Sequence, residues 1–141
     1  MKWFFDTSVL VPVFIEDHIH HERSLAAFRR ADPNTSCCAA HSLAEVFATI
    51  TRLPAPYRAS GEQAILFLES VEERVTLVSL EGREYLRAIR RAAADGVLGA
   101  TIYDALLAAC ALKAGAQIVY TWNERHFRMF DPEIAVRIRT P

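Results

Sequence analysis

Short apolar runs alternate with segments of helical periodicity along the whole chain. The predicted strands are Trp3–Phe5, Thr35–Ala39, Val75–Ser79, Gln117–Thr121 and a last edge strand at Ile134–Ile138. The predicted helices run from about Thr7, over His20–Arg30, over Leu43–Leu53, from Ser60 to about Glu73, from Glu81 to about Asp95, and over Tyr103–Lys113. This order of elements is the basis for the fold expected below.

The apolar residues of two predicted helices indicate which sides of each helix are buried. The helix predicted at Leu43–Leu53 has an apolar stripe at 3-4-3 spacing, formed by Leu43, Val46, Phe47 and Ile50. The segment Tyr103–Lys113 is apolar on nearly every side, which predicts a central, buried helix.

Strands separated by helices predict β-α-β crossovers, and hence an α/β fold with a mostly parallel central sheet covered on both faces. In such sheets, functional sites lie outside the carboxyl ends of the strands. The 141 residues suit one domain over 1–141, and 52% hydrophobic with 23% charged residues is typical of ordinary globular proteins.

Composition excludes several other classes. No apolar run is long enough to span a bilayer, so no membrane partner is expected. Asp6 interrupts the apolar N-terminus and no small-residue cleavage site follows, which argues against a signal peptide and favours the cytoplasm. Cys37, Cys38 and Cys110 lack C-x-x-C spacing and are interpreted as small buried apolar residues.

Net charge does not point to a nucleic-acid partner, because it is only −1. However, 14 of the 16 basic residues are Arg, which binds phosphate bidentately whereas Lys does not. A general preference for Arg on the surface explains this equally well. Arg52, Arg125 and Arg128 are candidate contacts to the phosphates of a nucleic acid, or else part of the solvated surface.

Three acids occupy comparable positions in the predicted elements. Asp6 follows the first strand, Glu45 is placed in the first turn of the helix after the second strand, and Asp104 in the first turn of the buried helix. Asp6 and Glu45 belong at the carboxyl edge of a parallel sheet. Asp104 reaches that edge if its helix runs back antiparallel to the strands.

Each acid also has a local explanation. Asp6 could cap a helix, and Ser42 to Glu45 and Thr101 to Asp104 match the pattern of a capping box. These explanations are weaker for the three acids together, because a parallel sheet would bring all three to one small region. Two charges 4 Å apart repel by about 4 kcal/mol at a dielectric of 20, so such a cluster needs a cation or a proton. Carboxylates without imidazole or thiolate select Mg²⁺ or Mn²⁺, the ions used in phosphodiester hydrolysis.

The sequence resembles the PIN-domain family at these residues, most closely the VapC-type toxins of bacterial toxin–antitoxin pairs. Four motifs occur in the family's order and spacing: Phe5-Asp6-Thr7-Ser8-Val9-Leu10; His41-Ser42-Leu43-Ala44-Glu45-Val46-Phe47 running to Thr51-Arg52-Leu53-Pro54; Tyr103-Asp104-Ala105-Leu106-Leu107-Ala108; and Thr121-Trp122-Asn123-Glu124-Arg125-His126-Phe127.

This resemblance implies a three-layer α/β/α PIN-like fold and RNA cleavage that depends on Mg²⁺ or Mn²⁺. By position, Asp6, Glu45 and Asp104 correspond to the catalytic, metal-binding acids, and Ser8 and Thr121 to hydroxyl residues that orient them. The implied partners are an RNA such as tRNA or another structured RNA, a cognate antitoxin and a second copy of the chain.

The sequence departs from the family at Asn123, where many members carry a fourth acid. An amide oxygen can bind a hard metal but brings no charge, so Asn123 is kept as a candidate ligand and a one-metal site is conceivable. Glu124 would substitute only if its loop were turned.

Three other functions compete with this hypothesis. A nuclease acting on DNA flaps or ends would need extra helical segments. A signalling receiver domain would have paired acids after its first strand and a Lys late in the sheet, whereas Asp6 stands alone and Lys113 falls at a helix end. A catalytically weak or inactive PIN-like module that binds RNA or a partner is the alternative that Asn123 encourages.

Overall fold

The computed structural model describes residues 1–141 and contains five strands and eight helices. The strands are β1 (Trp3–Phe5), β2 (Ser36–Ala39), β3 (Thr76–Val78), β4 (Ile118–Tyr120) and β5 (Ile138–Arg139). The helices are α1 (Thr7–Phe14), α2 (His21–Arg29), α3 (Ala40–Ile50), α4 (Gly61–Glu72), α5 (Gly82–Ala94), α6 (Thr101–Lys113), α7 (Glu124–Phe127) and α8 (Pro132–Ala135).

All five strands are parallel and lie in the order β3-β2-β1-β4-β5. β1 is therefore the central strand, with Phe4 paired to Cys37 on one side and to Val119 on the other. Because the strands are parallel, their carboxyl ends meet at one edge of the sheet, and Asp6 follows the central strand at that edge. The predicted parallel α/β fold is confirmed.

Alternation of side chains along the strands divides the interior into two cores. Phe5 and Cys38 point into a core shared with α1 to α4, whereas Phe4 and Cys37 point into one shared with α6 to α8. Both phenylalanines are fully buried, and burying such a side chain contributes about 1.5–3 kcal/mol. Two cores on opposite faces of one sheet produce the three-layer α/β/α architecture.

Helix α6 is buried as predicted, with Leu107 and Ala111 fully inaccessible to solvent. It ends before Gly115, whose φ of +63° lies in the region that glycine adopts readily. The three cysteines are free and buried, and burial raises the pKa of Cys38 to about 12. They serve as small apolar residues, as the sequence predicts.

The predicted last edge strand exists, but its predicted bounds, Ile134–Ile138, are wrong. Residues Pro132–Ala135 form a helical turn, and strand pairing is limited to Ile138–Arg139. Asp131 caps the turn by accepting a hydrogen bond from the Glu133 amide at 2.7 Å, and proline occupies the first turn. These local helix-start signals outweigh the short apolar pattern that suggested a strand.

Helix α3 also differs from its prediction. It spans Ala40–Ile50 rather than Leu43–Leu53, so it begins directly after β2. Within its predicted apolar stripe, Val46 and Ile50 are fully buried, but the side chain of Phe47 is 38% exposed. None of the helices combines the length and the apolar character that crossing a membrane requires.

Candidate active site

The carboxylate of Asp6 is buried at the carboxyl end of β1 and is held by two hydroxyl groups. Its Oδ2 accepts a hydrogen bond from Ser8 Oγ at 2.6 Å and another from Thr121 Oγ1 at 2.8 Å. The same oxygen accepts from the Ser8 amide at 3.3 Å, so Asp6 also caps α1. Capping and a place in the site are therefore compatible roles for this residue.

The two hydroxyl groups connect Asp6 to the loop that follows β4. Ser8 Oγ accepts from the Trp122 amide, and Thr121 Oγ1 accepts from the Asn123 amide, both at 2.9 Å. The Trp122 indole in turn stacks on His20, with ring centroids 3.7 Å apart. Each hydroxyl group thus donates to the acid and accepts from the backbone, which fixes the orientation of the carboxylate.

Glu45 lies in the second turn of α3 and not in the first, because the helix begins earlier than predicted. Its Oε1 is buried without a hydrogen-bond partner, and the nearest basic atom, His41 Nε2, is 3.5 Å away. Burial, followed by the negative charges of Asp6 and Asp104, raises the pKa of Glu45 to about 7. No Lys or Arg lies within ion-pair distance of this carboxylate, so His41 is its one basic neighbour.

Asp104 occupies the first turn of α6, as predicted. Its Oδ2 lies 2.9 Å from His126 Nδ1 on α7. The ring of the preceding residue, Tyr103, stacks on that of His41 in α3 with centroids 5.6 Å apart, so the start of α6 lies against α3. The charge of Asp104 also contributes to raising the pKa of Asp6 and of Glu45. The helix therefore does reach the edge where the strands end.

The capping-box explanation does not hold for either helical acid. The N-cap of α3 is Ala39 and that of α6 is Ala100, and neither helix has a capping side chain. Ser42 Oγ, the proposed partner in the first box, is buried without a hydrogen bond. Capping consequently does not explain Glu45 or Asp104, although the first-turn position of Asp104 is one that the helix dipole favours.

The chemistry of these three acids fits a hard divalent cation. Burial is the main cause that raises the pKa of Asp6 and of Glu45, and mutual repulsion adds to it. All the donor atoms are carboxylate oxygens, one of them an unpartnered buried oxygen of Glu45. As they stand in this structure, no three acidic, histidine or cysteine side chains are grouped so that they could hold a metal ion.

Comparison with known proteins identifies the family. The family model described as PIN domain matches residues 3–131. The chain belongs to the PIN-domain family. A curated relative, the ribonuclease VapC40 of Mycobacterium tuberculosis, is 31% identical over 114 residues, which are 81% of each chain. The resemblance to VapC-type members is thereby confirmed.

Solved structures support the same fold. VapC20 of Mycobacterium tuberculosis, a toxin that cleaves the sarcin–ricin loop, superposes with a TM-score of 0.72 and 16% identity, over 89% of this chain and 92% of that one. VapBC2 from Rickettsia felis, bound to a DNA fragment from its promoter, has a TM-score of 0.66 and 15% identity, over 99% and 98%. At these identities the likeness concerns the fold alone.

In this PIN domain, Asn123 is exposed and follows Thr121 at the site edge. Glu124 does not stand in for a fourth acid, since its Oε2 forms an ion pair with Arg128 at 2.9 Å. Arg125 is exposed and lies two residues beyond Asn123. Arg52 is also exposed but follows the far end of α3, about 10 Å along the helix axis from Glu45.

Two histidines contact the acids although they were not predicted as site residues. His41 faces Glu45 from one turn earlier on α3, and His126 faces Asp104 from α7. The spacing of four residues between His41 and Glu45 is a sequence signal for the first pair. No such signal exists for the second, because its partners are 22 residues apart and on different helices.

Proposed function

We propose that this PIN domain is an endoribonuclease dependent on Mg²⁺ or Mn²⁺ that acts as the toxin of a toxin–antitoxin pair. The observation that carries the proposal is the buried Asp6 carboxylate, fixed by Ser8 and Thr121 beside Glu45 and Asp104. The ribonuclease name of VapC40, which matches over four fifths of both chains, supports the reaction class.

Asp6, Glu45 and Asp104 are the residues that would hold the cation, with exposed Asn123 as a further candidate ligand. When bound, the cation would activate water and offset the charge that grows on the phosphate oxygens. Neighbouring side chains of the protein orient the carboxylates of this centre. Ser8 and Thr121 hold Asp6, and His126 holds the Asp104 carboxylate from its exposed side.

The same proposal names the partners. RNA is the substrate, with tRNA or another structured RNA as candidates and with exposed Arg125 and Arg52 as candidate backbone contacts. A cognate antitoxin and a second copy of the chain are the protein partners. The solved VapBC2 of Rickettsia felis, whose fold this chain shares, supports the first of them. The site of action would be the cytoplasm.

Loss of one orienting hydroxyl is expected to weaken the site without removing an acid. In Thr121→Val, Asp6 loses one of its two hydroxyl donors and the Asn123 amide loses its acceptor. We expect RNA cleavage to fall about tenfold, as is typical when a partner that orients a metal ligand is removed. Initial rates at saturating Mg²⁺ would measure this, and a rate equal to wild type would contradict the orienting role.

The decisive test of the function is cleavage of tRNAs, other structured RNAs and DNAs of matching sequence. Each would be tested with Mg²⁺, with Mn²⁺, with EDTA and with the variant Asp104→Asn. The control is Asp17→Asn, an exposed acid beyond the far end of α1. We expect defined RNA cuts that require the cation, disappear with Asp104→Asn and persist with Asp17→Asn.

Two other outcomes would overturn the proposal. Cleavage that survives in EDTA, or that Asp104→Asn retains, would remove the metal mechanism or move it to another site. Absence of cleavage by wild type, in preparations shown to be free of copurified protein, would favour a catalytically inactive module that binds RNA or a partner.

A further inference from the structure

Two aromatic rings stack beside the acids at the open edge of the sheet. Tyr103 immediately precedes Asp104 in the first turn of α6, and its ring lies 5.6 Å from that of His41 at an interplanar angle of 21°. His41 also approaches Glu45, with Nε2 3.5 Å from Oε1. The pair is therefore close to two of the three acids. Tyr103 is next to Asp104 in the sequence, and His41 contacts Glu45.

The exposure of Tyr103 is unusual for its helix. Only Tyr103 and Lys113 of α6 are exposed, and 49% of Tyr103 is accessible to solvent. One side of its ring faces His41, whose Nε2 lies 3.5 Å from Glu45, so the exposed part presents an aromatic surface one ring away from that acid. A tyrosine needed only for packing would be expected to bury its ring against the core, as Phe127 does.

A flat aromatic surface beside a phosphate-cleaving centre fits one kind of ligand, an unpaired nucleobase. Any of the four bases can stack on a tyrosine ring. In single-stranded RNA, the nucleotides on either side of the phosphate to be cut have bases that are free to do so. In a duplex the same base is stacked and paired, so its face is inaccessible. The position of Tyr103 therefore suits RNA that is single-stranded at the cut.

We propose that Tyr103, supported by His41, stacks an unpaired RNA base that neighbours the phosphate to be cut. This inference rests on the proposed ribonuclease function. It assigns a base-binding role to Tyr103, in addition to the role of the acids. The contact requires that the base be unpaired and depends little on which base it is.

The test uses the Asp6→Asn chain with Mg²⁺ present, because its cleavage is expected to be about 10²–10³-fold slower than that of wild type, so the RNA stays intact while binding is measured. The probes are a single-stranded oligoadenylate carrying 2-aminopurine at one scanned position and a hairpin carrying it within the stem. The variants added are Tyr103→Ala, Tyr103→Leu, which keeps apolar bulk without a ring, and Tyr103→Phe. The control is Tyr57→Ala, since Tyr57 is similarly exposed at 52% but lies in the loop beyond α3.

We expect 2-aminopurine fluorescence to be quenched at one or a few positions of the single strand and not in the stem. Tyr103→Ala and Tyr103→Leu should abolish that quenching and weaken binding about 5- to 100-fold, whereas Tyr103→Phe and Tyr57→Ala should retain both. Melting curves of each variant establish that the chain is folded.

Other results separate this inference from the function on which it rests. If wild type cleaves RNA but Tyr103→Ala and Tyr103→Leu bind and quench like their parent, only the stacking role is overturned. Equal binding to the hairpin stem, or loss of dimerisation in place of RNA affinity, overturns it as well. If wild type neither binds nor cleaves RNA, both proposals fail.

Discussion

Replacing Asp6 by Asn is expected to lower RNA cleavage by about 10²–10³-fold, the usual cost of removing one electrostatic element of a catalytic centre. The variant removes the charge and preserves the shape. The amide oxygen of Asn can still accept from Ser8 and Thr121 and still cap α1, so the local structure should persist.

The same substitution should leave the stability of the metal-free chain unchanged or increase it. Burial raises the pKa of Asp6, which means that its ionised form is unfavourable in the folded chain without a cation. Neutralising Asp6 also removes one of the charges that raise the pKa of Glu45. Activity and stability therefore change in different directions, which a simple folding defect would not produce.

Cleavage rates with Mg²⁺ and melting temperatures in EDTA would measure the two effects, with Asp17→Asn as the matched control. A folded Asp6→Asn chain that cuts RNA at the wild-type rate would exclude Asp6 from the catalytic centre. A large loss of melting temperature would show that Asp6 acts mainly as a structural cap.

The second large effect is expected at Glu45, where stability should depend on pH. The pKa of its carboxyl group is about 7 in the folded chain, above its ordinary value of 4.5. The folded state therefore binds more protons between these values, so the free energy of unfolding falls as pH rises from about 4.5 to 7. Because Glu45 is 29% exposed, we expect a fall of about 1–2 kcal/mol and not the full amount that the shift implies.

Glu45→Gln should remove this part of the pH dependence and stabilise the metal-free chain above pH 7. It should also lower cleavage by about 10²-fold, since it removes one charge of the proposed cation site. Melting temperatures in EDTA across the pH range, compared with the exposed and remote acid variant Glu72→Gln, would measure the first effect. An unchanged slope in Glu45→Gln would show that Glu45 is not the group that titrates.

Mg²⁺ provides a further check on the same residue. A cation that binds the ionised carboxylate competes with the proton, so saturating Mg²⁺ should raise the melting temperature most above pH 7, where the metal-free chain is weakest. The increase should be smaller in Glu45→Gln. An equal increase in both proteins would place the cation elsewhere.

The sequence by itself determined the class of fold and the acids worth examining. Strand and helix periodicity are local properties, so the alternation that predicts a parallel sheet could be identified without any long-range information. The topological rule that sites lie at the carboxyl ends of strands then directed attention to Asp6, Glu45 and Asp104. Local signals are weaker where elements are short, which is why the apolar pattern at Ile134–Ile138 predicts a strand that overlaps the end of α8.

The tertiary structure decided what those residues contact. Asp6 and Thr121 are 115 positions apart and meet only because β1 and β4 are neighbours in the sheet. The unpartnered oxygen of Glu45 and the exposed ring of Tyr103 likewise depend on how α3 and α6 pack against the same edge. Burial, charge repulsion and stacking are properties of neighbours in space, and strand order, which is not encoded in any local pattern, determines which residues become neighbours.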